Sequence, residues 1–253
     1  MPHVRSLAWA VGLTLAGSLG GVLVASALLF FNDRLRVKLV PWLVSYAVGT
    51  LLGVALLVLL PEALEHLSAR AVLGSLLAGI MLFFLLEKLV LWRHCHTHDC
   101  EAHGMAAPMV IVGDAFHNFL DGVVIGTAVR TSIPLGISTA LAVATHEIPQ
   151  ELGDMAILLH AGYSRKKALV LNLVSGASSV LGAVVAVLAL DWVPQANVYV
   201  LSIAAASFLY IAMADLIPDL HRGRIDATTL RQLALALAGI ATVVGLNAFV
   251  GGH

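Results

Sequence analysis

Eight apolar runs, each near the ~20 residues that a helix needs to cross ~30 Å of hydrocarbon, follow one another along this chain of 253 residues. They fall at about 8–31, 39–61, 71–92, 108–129, 134–160, 167–190, 197–218 and 229–250. Lipid offers the backbone no hydrogen-bonding partner, so only helices and closed barrels cross it. The alternation of polar and apolar residues that marks barrel strands is missing here. The expected fold is an all-α polytopic membrane protein, with eight transmembrane helices in a single transmembrane domain over residues 1–253. Composition points the same way: 60 % of residues are hydrophobic and 11 % charged, too few charges to coat a water-soluble domain of this length.

Charge placement orients the bundle. Eight crossings put both termini on one side. The opposite side holds Arg34, Arg36, Lys38, Lys88, Arg93, Arg165, Lys166, Lys167, Arg222, Arg224 and Arg231, against Arg5, Arg70 and Arg130 on the termini side. The positive-inside rule therefore places both termini outside the cytoplasm and residues 93–107 within it, in a plasma (bacterial inner) membrane. Arg5 and Ala25-Ser26-Ala27 imitate a cleaved leader, but the apolar run continues through Phe31, too long for one. The expected partners are a lipid bilayer and a small cation, without nucleic acid.

The 93–107 loop is the one long connection. It carries His94, Cys95, His96, His98, Cys100 and His103 beside Asp99 and Glu101. Such a tract captures soft or borderline cations loosely, or simply stays polar and solvated; its spacing matches no closed zinc framework. The two cysteines, assigned to a reducing compartment, are not expected to pair.

Most prolines lie near segment ends, and Pro149 alone is expected mid-span. Its ring removes an N–H and opposes the carbonyl of Thr145, which disturbs the helix beside His146 and Glu147. Gly122 and Gly126 on the fourth run, and Ser175, Gly176, Ser178, Ser179 and Gly182 on the sixth, form small-residue faces for close helix packing.

The chemistry is concentrated in His117-Asn118-Phe119-Leu120-Asp121 and His146-Glu147-Ile148-Pro149-Gln150-Glu151. Each run has a His, a polar residue after it, and an oxygen-bearing side chain four positions on, all projecting from one helix face. A short turn separates the two runs, so they become antiparallel neighbours at similar depth. Three ionised and unpaired carboxylates at mid-membrane (Asp121, Glu147, Glu151) would cost about 8–10 kcal/mol. No Lys or Arg lies deep enough to offset them, so protonation, water or a bound cation must. Imidazoles with carboxylate and amide oxygens suit zinc and its first-row neighbours better than calcium or magnesium. Iron, manganese and cadmium stay open, and zinc enters as cargo rather than as a catalytic cofactor.

Asp114 precedes His117 by three positions, Asp154 follows Gln150 by four, and Glu151 adjoins it; these three extend the polar line toward either membrane face. An alternative function is an intramembrane zinc metalloenzyme, because His146-Glu147-x-x-Gln150 departs by one residue from the His-Glu-x-x-His helix, with Glu147 as base and His117 as substitute ligand.

At Gly113-Asp114-Ala115-Phe116-His117-Asn118-Phe119-Leu120-Asp121-Gly122 and His146-Glu147-Ile148-Pro149-Gln150-Glu151-Leu152-Gly153-Asp154, the chain resembles the ZIP family of divalent metal transporters, in the branch with a His-rich cytoplasmic loop. That resemblance implies a 3+2+3 helix arrangement with inverted repeats, a homodimer, and alternating access that carries metal into the cytoplasm. It assigns His117, Asp121, His146 and Gln150 to a primary metal site, and Asn118, Glu147 and Gln150 to an adjacent second one. Gln150 stands where the branch usually has His, and Ser179 stands where some members supply a Glu.

Overall fold

Eight helical rods account for nearly all of the described chain, which comprises residues 2–28, 33–92, 106–193, 195–220 and 227–251 of a computed structural model. In chain order they are α1 (2–28), α2 (33–66), α3 (Ala69–Trp92), α4 (Ala106–Thr131), α5 (Ile133–His160), α6 (165–192), α7 (196–220) and α8 (Ala227–Gly251). No strand occurs among the described residues. Six rods, α1, α2, α3, α6, α7 and α8, are long and apolar enough to cross a membrane. The protein is an all-α, multi-pass integral membrane protein. The other two rods, α4 and α5, are as long but carry the polar runs, which lower their hydropathy.

Local chemistry sets the boundaries. Ser132 alone separates α4 from α5; its hydroxyl accepts the Leu135 N–H, and Pro134 occupies the first turn, where its missing N–H costs nothing. Ser164 caps α6 in the same way through the Lys167 N–H, and Gly162 makes the preceding turn at φ +85°. Within the rods, many hydroxyls bond back to carbonyls one turn earlier, as Thr14 does to Ala10 and Ser26 to Val22, which satisfies them inside an apolar helix.

Most rods outrun the apolar segments by one or two residues and α2 by five or six, because helix continues into the interfacial turns. Pro41, expected near a segment end, therefore lies inside α2, which begins at Asp33. Two other prolines are absorbed by widened turns. In α2 a π turn spans Ala55–Leu59 just before Leu60-Pro61, and in α7 another spans Ile211–Leu216 just before Ile217-Pro218. A π turn relocates the carbonyls that a proline cannot serve.

Glycines fix how α4 meets α6. A methyl group on Gly122 would overlap the Ser179 carbonyl, one on Gly182 the Phe119 carbonyl, and one on Gly126 would come within 2.7 Å of the Ala183 oxygen. The two small-residue faces read from the sequence pack on each other. On α1, Gly21 lies against the Cβ of Glu147, so α1 closes directly over the α5 polar run.

The apolar core is one-sided. Its main cluster joins Leu51, Val54 and Leu59 of α2, Val124, Ile125 and Ala128 of α4, Ala142 and Val143 of α5, and Leu201, Ala205 and Phe208 of α7. These residues come from the halves of the rods nearest the 131–133 turn. Toward the other end, two small clusters form among the described residues, around Leu158 and around Ala25 with Leu152. Among the described residues, the 131–133 end is sealed and the opposite end is loose.

Candidate metal centre

His117 on α4 and His146 on α5 lie 14 residues before Thr131 and 13 after Ile133, which places them at matching depth on antiparallel neighbours. Their Nε2 atoms face each other across 3.3 Å, with the rings edge-on at 82°. Asp121, one turn after His117, brings Oδ2 to 3.0 Å from His146 Nε2 and 3.5 Å from His117 Nε2. Glu147 Oε1 lies 3.7 Å from both imidazoles. The four side chains offer donor atoms that all fall within 4.8 Å of one another. Bonds of ~2.0–2.2 Å to a tetrahedral ion require donor separations of about 3.3–3.6 Å. The measured spacings bracket that range, so His117, Asp121, His146 and Glu147 are placed to hold one small divalent ion.

Hydrogen bonding orients the ligands. His146 Nδ1 lies 2.9 Å from the Ala142 carbonyl, which carries no hydrogen, so Nδ1 is the protonated nitrogen and donates. Nε2 then presents its lone pair to the cluster, the tautomer a metal ligand needs. Facing it at 3.0 Å is a carboxylate oxygen, also an acceptor. Two lone pairs at that distance require a positive charge between them, a proton or a metal ion. Both oxygens of Asp121 and both of Glu147 are buried without hydrogen-bond partners. Phe208 packs its ring against His146, centroids 6.0 Å apart, on the sealed side.

His146, Glu147 and Asp121 have side-chain exposures of 0 %, 0 % and 1 %, whereas His117 is 21 % exposed. His117 is the accessible member because it lines a cavity of about 520 Å³ with Gln150, Pro149, Gly153, Val40, Val44, Ile211 and Leu216. Those residues lie on the loose side of the His pair. Gln150 therefore stands beside His117 at the cavity wall.

Asn118 points elsewhere. Its amide nitrogen donates to Asp114 Oδ1 at 2.9 Å, and its oxygen accepts from Ser18 at 2.6 Å. Ser18 belongs to a π turn, Leu15–Leu19, in α1. Ser179 is buried with its hydroxyl bonded to the Gly176 carbonyl of its own helix, turned away from the four-residue cluster. Asp114 and Glu151 are buried and Asp154 half-buried. Glu62 pairs with His66 3.5 Å away at the partly exposed end of α2. His94, Cys95, His96, His98, Cys100 and His103 lie outside the described residues.

Sequence reasoning missed Ser18, Phe208 and Asn172. Ser18 and Phe208 come from distant rods and look like ordinary packing residues in their own segments. Asn172, a buried amide in an apolar run, was a signal that was legible and passed over.

Comparison with known proteins adds the family. Residues 93–247 match the family described as ZIP Zinc transporter. Zinc transporter ZIP13 of Pongo abelii is 32 % identical over 226 residues, covering 82 % of this chain and 67 % of that protein. Zinc transporter ZIP4 of Homo sapiens is 32 % identical over 249 residues, 71 % of this chain and 38 % of the relative. Zinc transporter ZIP10 of Mus musculus is 40 % identical over 135 residues, but the match covers 52 % of this chain and only 16 % of the relative's length. The matching stretch holds both polar runs, the cluster they build and most of the rods around it, and the chain belongs to the ZIP zinc transporter family.

Proposed function

We propose that the chain moves divalent cations, zinc foremost, across a lipid bilayer into the cytoplasm. The four-donor cluster carries this reading. Two neutral imidazoles and two carboxylates around a divalent ion sum to zero net charge, the cheapest way to keep those groups at mid-membrane depth. Nitrogen and oxygen donors suit zinc, with iron, manganese and cadmium as competitors. His117, Asp121, His146 and Glu147 hold the ion, and Gln150 and Asn118 are adjacent ligands as it arrives or departs.

All eight rods cross the membrane, with both termini outside and residues 93–107 in the cytoplasm. The loose end, where the cavity reaches His117, then faces the cytoplasm, and the apolar core facing outward is the closed gate of an alternating-access cycle. A 3+2+3 arrangement with inverted repeats is supported by the matched π turns of α2 and α7. Each is followed by a proline and an acidic residue (Leu60-Pro61-Glu62, Ile217-Pro218-Asp219), on rods that run in opposite directions. A homodimer in a plasma membrane completes the proposal, with the 93–107 tract as a cytoplasmic metal-capture loop.

The metalloenzyme alternative is not favoured. Glu147 lies within the ligand cluster rather than apart from it as a free base, and the family is one of transporters. Uptake of radiolabelled zinc into proteoliposomes decides the matter. Transport is expected from the parent and not from His146→Ala or Asp121→Ala; equal rates in all three would overturn the reading.

A further inference from the structure

The α5 polar residues divide into two stripes. Gln150, with Pro149 and Gly153, borders the cavity toward α2 and α7, whereas Glu147, Glu151 and Asp154, spaced by four and three, are not among its walls. On that second side lies an acidic group whose charge partners include no Lys or Arg among the described residues. Asp114 is 4 % exposed, with one oxygen bound by Asn118 and the other, Oδ2, without a partner. Glu151 is fully buried with both carboxylate oxygens unpartnered. Asn172 of α6, also fully buried, donates to the Glu151 backbone carbonyl at 3.5 Å and leaves its side-chain oxygen unpartnered. Glu151 interacts electrostatically with Asp114 and Asp154, and the half-buried Asp154 with Asp114.

We propose that Asp114, Glu151 and Asn172 form a second, oxygen-only cation station between α4, α5 and α6, separate from the imidazole cluster and from the cavity, which the transported divalent ion occupies on its way along the acidic stripe. It rests on the transport reading above. Four buried oxygens that no hydrogen bond satisfies suit a cation, because an unmade partner for a buried polar atom costs about 1–3 kcal/mol or more when charged. No three ionisable donors of this group converge within 4.8 Å, as the four of the imidazole cluster do, so the ion here keeps part of its water. All-oxygen, partly hydrated coordination favours hard cations, manganese over zinc. Ser18 and Asn118 steady the entrance, since Asn118 holds Asp114 and is itself held by Ser18.

The full chain in lipid nanodiscs tests this by equilibrium dialysis with zinc alone and with manganese alone. Manganese affinity is expected to fall at least tenfold in Glu151→Gln and in Asp114→Asn while each variant keeps one zinc per chain, which also reports that it is folded. His146→Ala is expected to lose that zinc and keep the manganese. Unchanged manganese binding in both carboxylate variants, or manganese lost only with His146→Ala, would overturn the station. Zinc binding unaffected by His146→Ala would instead overturn the imidazole site, leaving the manganese result to judge the station alone.

Discussion

His146 and Asp121 confront each other with an imidazole lone pair and a carboxylate oxygen 3.0 Å apart, because the other ring nitrogen is committed to the Ala142 carbonyl. Without metal, a proton bridges that gap; with metal, the proton has to leave. Zinc binding is therefore expected to release close to one proton per ion, so affinity falls about tenfold for each unit of acidification while that exchange operates. Calorimetry in buffers of different ionisation enthalpy reads the proton count. Asp121→Asn is expected to abolish the release, and a buffer-independent enthalpy in the parent would contradict the bridging proton.

Gly21 leaves room for Glu147. A methyl group there would come within 2.8 Å of the Glu147 Cβ, so Gly21→Ala pushes α1 and α5 apart at the metal cluster. Overpacking of this kind costs about 1–3 kcal/mol. Weaker zinc binding with a modest fall in thermal stability is expected. Gly12→Ala, on the same rod with nothing within 4 Å of the added carbon, should bind zinc like the parent.

Gly122 carries the α4–α6 contact, and its neighbour there is backbone, which cannot swing aside. Gly122→Ala is expected to lower stability by more than the Gly21 change, with the loss read as melting temperature in detergent. Since Gly122 adjoins Asp121, a variant that melts normally would mean that α4 and α6 are not packed as described.

The one-sided core predicts one-sided access. With Cys95 and Cys100 replaced by Ser, Gly153→Cys at the open cavity should react with an impermeant maleimide from the cytoplasmic face only. Ala128→Cys, in the sealed half, should react from neither face in the metal-free protein. Labelling of Gly153→Cys from outside would reverse the proposed orientation.

The positions of the helices, the kinship of the two polar runs and their common depth were legible in the sequence. Hydrophobic length, the single residue between α4 and α5, and four-residue spacing are local quantities. The prolines were only half legible. Pro149 was recognised as internal, whereas Pro61 and Pro218 passed for boundaries because a π turn, which lets a helix continue through them, leaves no residue signature.

What the tertiary structure decided is which side chains meet. Glu147 and Asn118 both follow a His and share one expected role, yet Glu147 turns into the imidazole cluster while Asn118 is drawn off by Ser18, 100 positions away in the chain. That choice depends on α1 packing over α5 through Gly21 and on the π turn that aims Ser18 at Asn118. Periodicity assigns a residue to a helix face, but the neighbour opposite that face is set by contacts between distant segments, which no local pattern encodes.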